Sequence, residues 1–163
     1  RILALIWFIQ PDLVPFIWWK LVLLSAIGLG LSIYNEKQTV NNGGQAVKNL
    51  TNPFEVRPAL VFASLFVVLS VVTILAQRFY GESGLKTLAT VIGVTDIDPF
   101  ILSLVNQTTI TQSLVISAIL ISMMSNTIVK GIYFGFLAKN VRMATAWRFG
   151  LWAILHLPII FFT

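Results

Sequence analysis

Gly93-Val94-Thr95-Asp96-Ile97-Asp98-Pro99-Phe100 interrupts a segment, Leu85 to Val105, that is otherwise apolar enough to cross a bilayer. A charged side chain at the centre of a spanning helix costs about 2.5–3.5 kcal/mol on insertion scales. Two carboxylates at that depth therefore need a cationic or wet neighbour. Pro99 has no N–H and its ring collides with the carbonyl four residues back, so a bent or broken helix is expected. A broken segment with acids near mid-membrane is a recurring way to build an ion or proton site. The competing reading is structural: two interior carboxylates neutralised by a partner helix, holding a bundle together.

The following run, Leu114 to Leu137, reads as a span with a polar face. Ser122, Asn126 and Lys130 recur every four residues and so share one side of a helix. The connection Asn106 to Thr111 is brief, which favours antiparallel neighbours with Asn126 at the depth of Asp96 and Asp98. Lys130 is then the expected counter-ion for one of the acids. Gly131 and Gly135 form a G-x-x-x-G face, which allows close helix packing and often serves a dimer.

Before the interrupted segment, Leu13 to Tyr34 and Ala59 to Gln77 are each long enough to span. Trp18, Trp19 and Lys20 mark an interfacial end of the first, with Lys20 able to snorkel. Ala26 and Gly30 give it a small packing face. Asn52-Pro53-Phe54-Glu55-Val56-Arg57-Pro58 opens the second, with Thr51 or Asn52 as a cap and Glu55 near the positive helix end. The last span is expected over about Trp147 to Phe162. It holds His156, whose expected role is a hydrogen bond to a neighbouring carbonyl rather than metal ligation. A histidine also titrates near neutrality and can shuttle protons. Asn41-Asn42-Gly43-Gly44 has turn composition inside a polar, exposed linker. Asn49-Leu50-Thr51 and Asn106-Gln107-Thr108 match the N-glycosylation acceptor, a pattern frequent by chance.

Composition agrees with this pattern. Of 163 residues, 57% are hydrophobic and only 10% charged, and the mean hydropathy is +0.88. A soluble domain carries about a quarter charged residues. Long continuous apolar runs point to helices and not to an outer-membrane barrel. The net charge of +5 is spread over segment ends, as juxtamembrane lysines and arginines are, so no nucleic-acid partner is expected. The absence of cysteine excludes disulfides, thiolate metal sites and thiol nucleophiles. The chain starts at Arg1 without a methionine, and Ile2 to Ile9 already reads as membrane sequence, so we expect a piece of a longer polytopic chain.

The expected fold is thus all-α: a polytopic transmembrane helical bundle of about five spans, one interrupted at Asp96–Pro99. Residues 1–34 form a partial first segment and a first transmembrane helix, 35–52 a polar exposed linker, and 53–163 a four-span membrane domain. If the Asp96–Asp98 segment crosses fully, Arg78, Lys86, Lys139, Arg142 and Arg148 share the cytoplasmic side. If it is re-entrant, the last loop changes sides.

The motifs Asn52-Pro53-Phe54-Glu55-Val56-Arg57-Pro58-Ala59-Leu60, Gly93-x-x-Asp96-x-Asp98 and Asn126-Thr127-x-x-Lys130 occur in that order. In these the chain resembles the C-terminal membrane domain of unknown function that is fused behind an MgtC/SapB-type domain in bacterial proteins. The likeness runs from about Asn52 to Pro158. It implies a bacterial inner-membrane location and a link with survival at low magnesium. It also maps the family's motif acids, asparagine and lysine onto Asp96, Asp98, Asn126 and Lys130.

Two functions from different classes follow. The first is a cation channel or transporter, with Asp96 and Asp98 as cation ligands and Thr95, Ser122, Asn126 and Lys130 along the pathway. Hard cations take oxygen ligands, and carboxylates with broken-helix carbonyls supply them. The i, i+2 acids converge only if the backbone unwinds near Pro99. The second is a non-transporting regulator or assembly module, in which Asp96, Asp98 and Lys130 form a structural network and Gly131 and Gly135 dock a partner helix. The expected partners are the lipid bilayer, a homo-oligomer (a dimer first) and the N-terminal part of the longer chain. No cofactor beyond a bound cation is called for. Enzymatic activity is not expected: intramembrane aspartyl proteases place their acids on separate helices, and one histidine with no cysteine and no serine elbow offers little else.

Overall fold

The computed structural model describes residues 1–36, 56–107, 109–137 and 142–161, with only the backbone described at 31–36, 56–59, 137 and 142–145. The linker turn at 41–44, the acceptor triplet at 49–51, the cap at 51–52 with Glu55, Thr108 of the second triplet and Lys139 lie outside the described residues. So do the side chains of Tyr34, Arg57 and Arg142.

Among the described residues the structure is all-helical: α1 Ile2–Ile9, a 3-10 turn Pro11–Leu13, α2 Val14–Glu36, α3 Val56–Ile92, α4 Asp98–Val105, α5 Gln112–Leu137 and α6 Arg142–Phe161. The first break is local chemistry. Gln10 leaves the helix at φ −141°, ψ 78°, as residues before proline tend to, and Pro11 opens the next turn. Three helices are long and apolar enough to cross a membrane, over Pro11–Gly30, Leu60–Ile92 and Gln112–Phe136; the apolar Ala146–Phe161 is shorter.

The helix α3 is two arms. At Gly81, φ is 58° and ψ −140°, a conformation that residues with a Cβ rarely adopt. The chain reverses there: a Cβ at Gly84 would lie 2.5 Å from the carbonyl oxygen of Ala76. Residues eight apart in a continuous helix stand about 12 Å apart. The first arm, 56–80, is long enough to cross a bilayer, whereas the second, 82–92, rises only about 16 Å, half the hydrocarbon thickness.

The segment expected as one interrupted span is therefore a helical hairpin. After the second arm the chain breaks at 93–97, and α4 begins. Its Ser103 hydroxyl lies 3.2 Å from that of Thr73 on the first arm. Thr73 is eight residues, or about 12 Å, below the Gly81 turn. Had α4 continued onward, Ser103 would stand at least about 25 Å from that turn, out of reach of Thr73. It has to run back. The α5 helix then starts near the Gly81 level and ends near the level of Val56, so α6 begins on the Val56 side.

Packing centres on α4. Phe100, Ile101 and Leu104 are completely buried, against Ile6 of α1, Leu85 and Ala89 of the second arm, and Ile119 and Leu120 of α5. Around that core the faces are apolar and open, as at Val61, Leu65, Val68 and Leu75, which is compatible with a membrane location.

Two expectations about α2 are corrected. Lys20 does not snorkel: it is buried, with its ammonium 5.5 Å from the centre of the Trp19 ring. The small face is not Ala26 and Gly30. Gly28 meets the Trp152 ring of α6, while Gly30 has open space beside it.

Candidate functional site

The hairpin tip is built by close approach. A Cβ on Gly93 would collide with the Ser125 side chain and come within 2.6 Å of the Asn126 amide nitrogen, so only glycine lets the tip lie on α5. The last turn of the second arm closes through Val94 N–H to Val91 O (3.2 Å) and Thr95 N–H to Ile92 O (2.9 Å). Two bonds from α5 then tie the tip down: Ser125 Oγ donates to Thr90 O at 2.5 Å, and Asn126 Nδ2 donates to Thr95 O at 3.4 Å. The backbone groups freed by the break thereby find partners inside the protein.

The helix α4 starts at Asp98, with Pro99 in its first turn, where the missing N–H costs nothing. The break thus precedes Pro99. The Asp98 N–H donates to Asp96 Oδ1 at 3.3 Å, so Asp96 satisfies an orphan donor of the new helix. Unwinding also does what the i, i+2 spacing requires. Both carboxylates reach one cation, the Arg1 guanidinium, which lies 3.5 Å from Asp96 Oδ1 and bonds Asp98 Oδ2.

The three groups differ in exposure. The side chains of Arg1 and Asp96 are 71% and 57% exposed, and that of Asp98 only 12%. One oxygen of Asp98, Oδ1, is fully buried and has no hydrogen-bond partner among the described residues. Leaving such an atom unpaired costs about 1–3 kcal/mol, more for a charged group. The bond to Asp98 raises the Arg1 pKa above its ordinary value, against a lesser lowering by burial, and the charges of Asp98 and Asp96 add to the rise. Arg1 therefore stays cationic at every accessible pH.

Asp96, Asp98 and Arg1 open on a cavity of ≈ 670 Å³ between α1, α2, the hairpin tip, α5 and α6. Asn126, Lys130 and His156 also line it, and Leu3, Leu21, Leu24 and Trp152 supply apolar wall. His156 is buried, with Nδ1 2.9 Å from Trp152 O. A carbonyl only accepts, so Nδ1 carries the hydrogen and Nε2 of the neutral ring is left as an acceptor.

Of the residues singled out in the sequence, Asp96, Asp98, Asn126 and Lys130 line this one cavity. Thr95 stands at its edge: its carbonyl takes the Asn126 bond and its hydroxyl donates to Ile92 O at 3.1 Å. Ser122 is elsewhere, buried and bonded to Ile119 O of its own helix. Lys130 is not the counter-ion of the acids. Arg1 takes that place, and Lys130 makes no ion pair among the described residues. Gly131 serves packing within the chain, since a Cβ there would lie 2.6 Å from Phe149 Cβ of α6; Gly135 lines an apolar groove beside it. Among the described residues no three His, Cys, Asp or Glu side chains gather as a metal-binding group, so a cation at Asp96 and Asp98 has two carboxylates and no third.

Sequence reasoning missed Arg1 and Ser125. The one signal for Arg1 was a lone cation leading straight into the apolar run Ile2 to Ile9. Nothing marked Ser125 apart from its neighbour Ser122.

The family described as Domain of unknown function (DUF4010) matches residues 1–138. The chain belongs to that family. The DUF4010 match takes in the first fifty residues, which the motif likeness left out, and ends at the close of α5, whereas that likeness ran on to Pro158. Arg1, the hairpin and the α5 face therefore lie within it, and Trp152 and His156 on α6 lie beyond it. No curated protein and no solved structure matches the chain.

Proposed function

We propose that this DUF4010 protein moves cations across a membrane, as a transporter and not as an open pore. One observation carries the reading. Asp98 is buried at the tip of a re-entrant hairpin with an unpartnered oxygen, beside a cavity that five other ionisable or amide side chains share with it. A half-helix hairpin that ends in acids at mid-membrane is a recognised way of presenting oxygen ligands to an ion. Because Arg1 already pairs with both carboxylates, an entering cation competes with it for them, which favours a coupled step over free conduction.

The resemblance to the membrane domain behind MgtC/SapB-type domains adds a location, the bacterial inner membrane, and a longer chain of which this is a part. With the hairpin re-entrant, Arg57 near the start of α3 and Arg142 and Arg148 in the first turns of α6 share a side against Arg78 and Lys86. By the positive-inside rule that side is cytoplasmic. A homo-oligomer belongs to the same proposal, because the described helices are few for a complete pathway.

A second reading has its own observation. The Arg1–Asp96–Asp98 cluster is what a structural ion network looks like, and a regulator or assembly module needs nothing more. Liposome flux separates the two. Protein reconstituted in vesicles is assayed for K⁺ and Mg²⁺ flux beside Asp96→Asn and Asp98→Asn. The transport reading requires flux that Asp98→Asn abolishes in correctly folded protein. Equal flux in all three, or none in the wild type, leaves the network reading.

A further inference from the structure

We infer that Arg1 is a tethered competitor for the carboxylate site: its guanidinium occupies the place of the transported cation and must swing out before a cation binds. This rests on the carboxylate-site reading above and specifies how that site is closed.

The argument is an asymmetry of exposure. Most of the Arg1 side chain is already open, so swinging the guanidinium away removes little packing. Asp98 has no such freedom. It is fixed in the first turn of α4, which is buried on all sides, and its side chain is nearly closed off. When Arg1 leaves, a buried carboxylate stands uncompensated, a state that costs several kcal/mol until another positive charge arrives. Release of Arg1 and entry of a cation are therefore linked one for one. Here the guanidinium is exposed, and the acid keeps a vacant oxygen, Oδ1. The exchange also needs a place for the displaced guanidinium, and the ≈ 670 Å³ cavity that Arg1 itself lines supplies it. Lys130 does not compete in the same way, because it makes no ion pair with either acid.

The occupant defines the class of ligand. A guanidinium carries one charge and spans two carboxylates. The site is therefore suited to one monovalent cation at a time, with guanidinium itself as a direct probe.

The test uses the full chain in liposomes, with K⁺ flux as the readout and wild type, Arg1→Gln, Arg1→Lys and Asp98→Asn compared. If Arg1 holds the site about nine-tenths of the time, Arg1→Gln lowers the half-saturating K⁺ concentration about tenfold. Free guanidinium at millimolar concentration then inhibits Arg1→Gln and leaves the wild type largely unaffected. Arg1→Lys, which keeps the charge and cannot bridge both acids, falls between them and serves if Arg1→Gln does not fold. A guanidinium-dependent rise in melting temperature of Arg1→Gln, absent in Asp98→Asn, reports the same occupancy without transport. Arg1→Gln and Arg1→Lys that lose flux together with Asp98→Asn, with no sensitivity to guanidinium, overturn the inference and leave the site reading standing. Unchanged flux in Asp98→Asn overturns both.

Discussion

The hydroxyls of Thr73 and Ser103, thirty positions apart in the chain, meet at 3.2 Å in the protein interior. Ser103 also donates to Phe100 O at 2.8 Å, so within this pair Thr73 is the donor. That bond holds α4 beside the first arm of α3 and so holds the hairpin folded back on that arm. In Thr73→Ala/Ser103→Ala double-mutant cycles we expect a coupling of about 0.5–1.5 kcal/mol in detergent unfolding. Additive effects would mean that the two helices are not held together here.

Gly81 is the turn on which the topology depends. Its backbone conformation is one that an alanine adopts at a cost of about 1–3 kcal/mol. Gly81→Ala should lower the melting temperature measurably. Gly30→Ala, in a helix with open space beside it, should leave the melting temperature level or raise it, by about 0.5–1 kcal/mol of helix propensity. The contrast between the two, read from the same thermal melts, tests the reversal at Gly81.

Close approach is the requirement at Gly93 and Gly131. A Cβ at Gly93 meets the backbone of α5 and one at Gly131 meets the Cβ of Phe149, neither of which moves cheaply. Overpacking of this kind costs about 1–3 kcal/mol. Gly93→Ala should loosen the carboxylates as well as the fold, and Gly131→Ala the fold alone. Cation-dependent stabilisation, measured by thermal shift, should therefore weaken in the first and persist in the second.

Lys130 offers a negative test. It is exposed and pairs with no acid among the described residues, so Lys130→Gln should change stability by less than about 0.5 kcal/mol. Asp98→Ala, which removes the charged bond to Arg1 but leaves only an exposed guanidinium behind, should cost about 1.5–3 kcal/mol. Similar losses in the two variants would restore Lys130 as a counter-ion.

What could be read from the sequence was set by period and composition. The apolar runs gave the all-helical class, and two acids with a proline inside one of them marked a break. The four-residue spacing of Asn126 and Lys130 placed both on the face that meets the break. The reversal at Gly81 was hidden, because a glycine in a polar turn is equally at home in a loop between two spans; its positive φ and the approach of Gly84 to Ala76 exist only in three dimensions. Arg1 was hidden by distance. An ion pair between groups ninety-five or more positions apart leaves no periodic trace, so the nearer Lys130 was the natural assignment. Ser122 failed for a related reason: shared helical spacing puts a residue on a face, and a serine there still bonds its own backbone when no partner reaches it.

The absence of cysteine makes one direct measurement clean. Asp96→Cys in sealed vesicles, treated with a charged, membrane-impermeant thiol reagent, asks whether water reaches the hairpin tip; Val68→Cys, on the exposed apolar face of α3, is the reference. Rapid modification of Asp96→Cys from one side of the membrane, with Val68→Cys untouched from either side, is the expected result. An Asp96→Cys as inert as Val68→Cys, in protein shown to be folded, would contradict a wet carboxylate site.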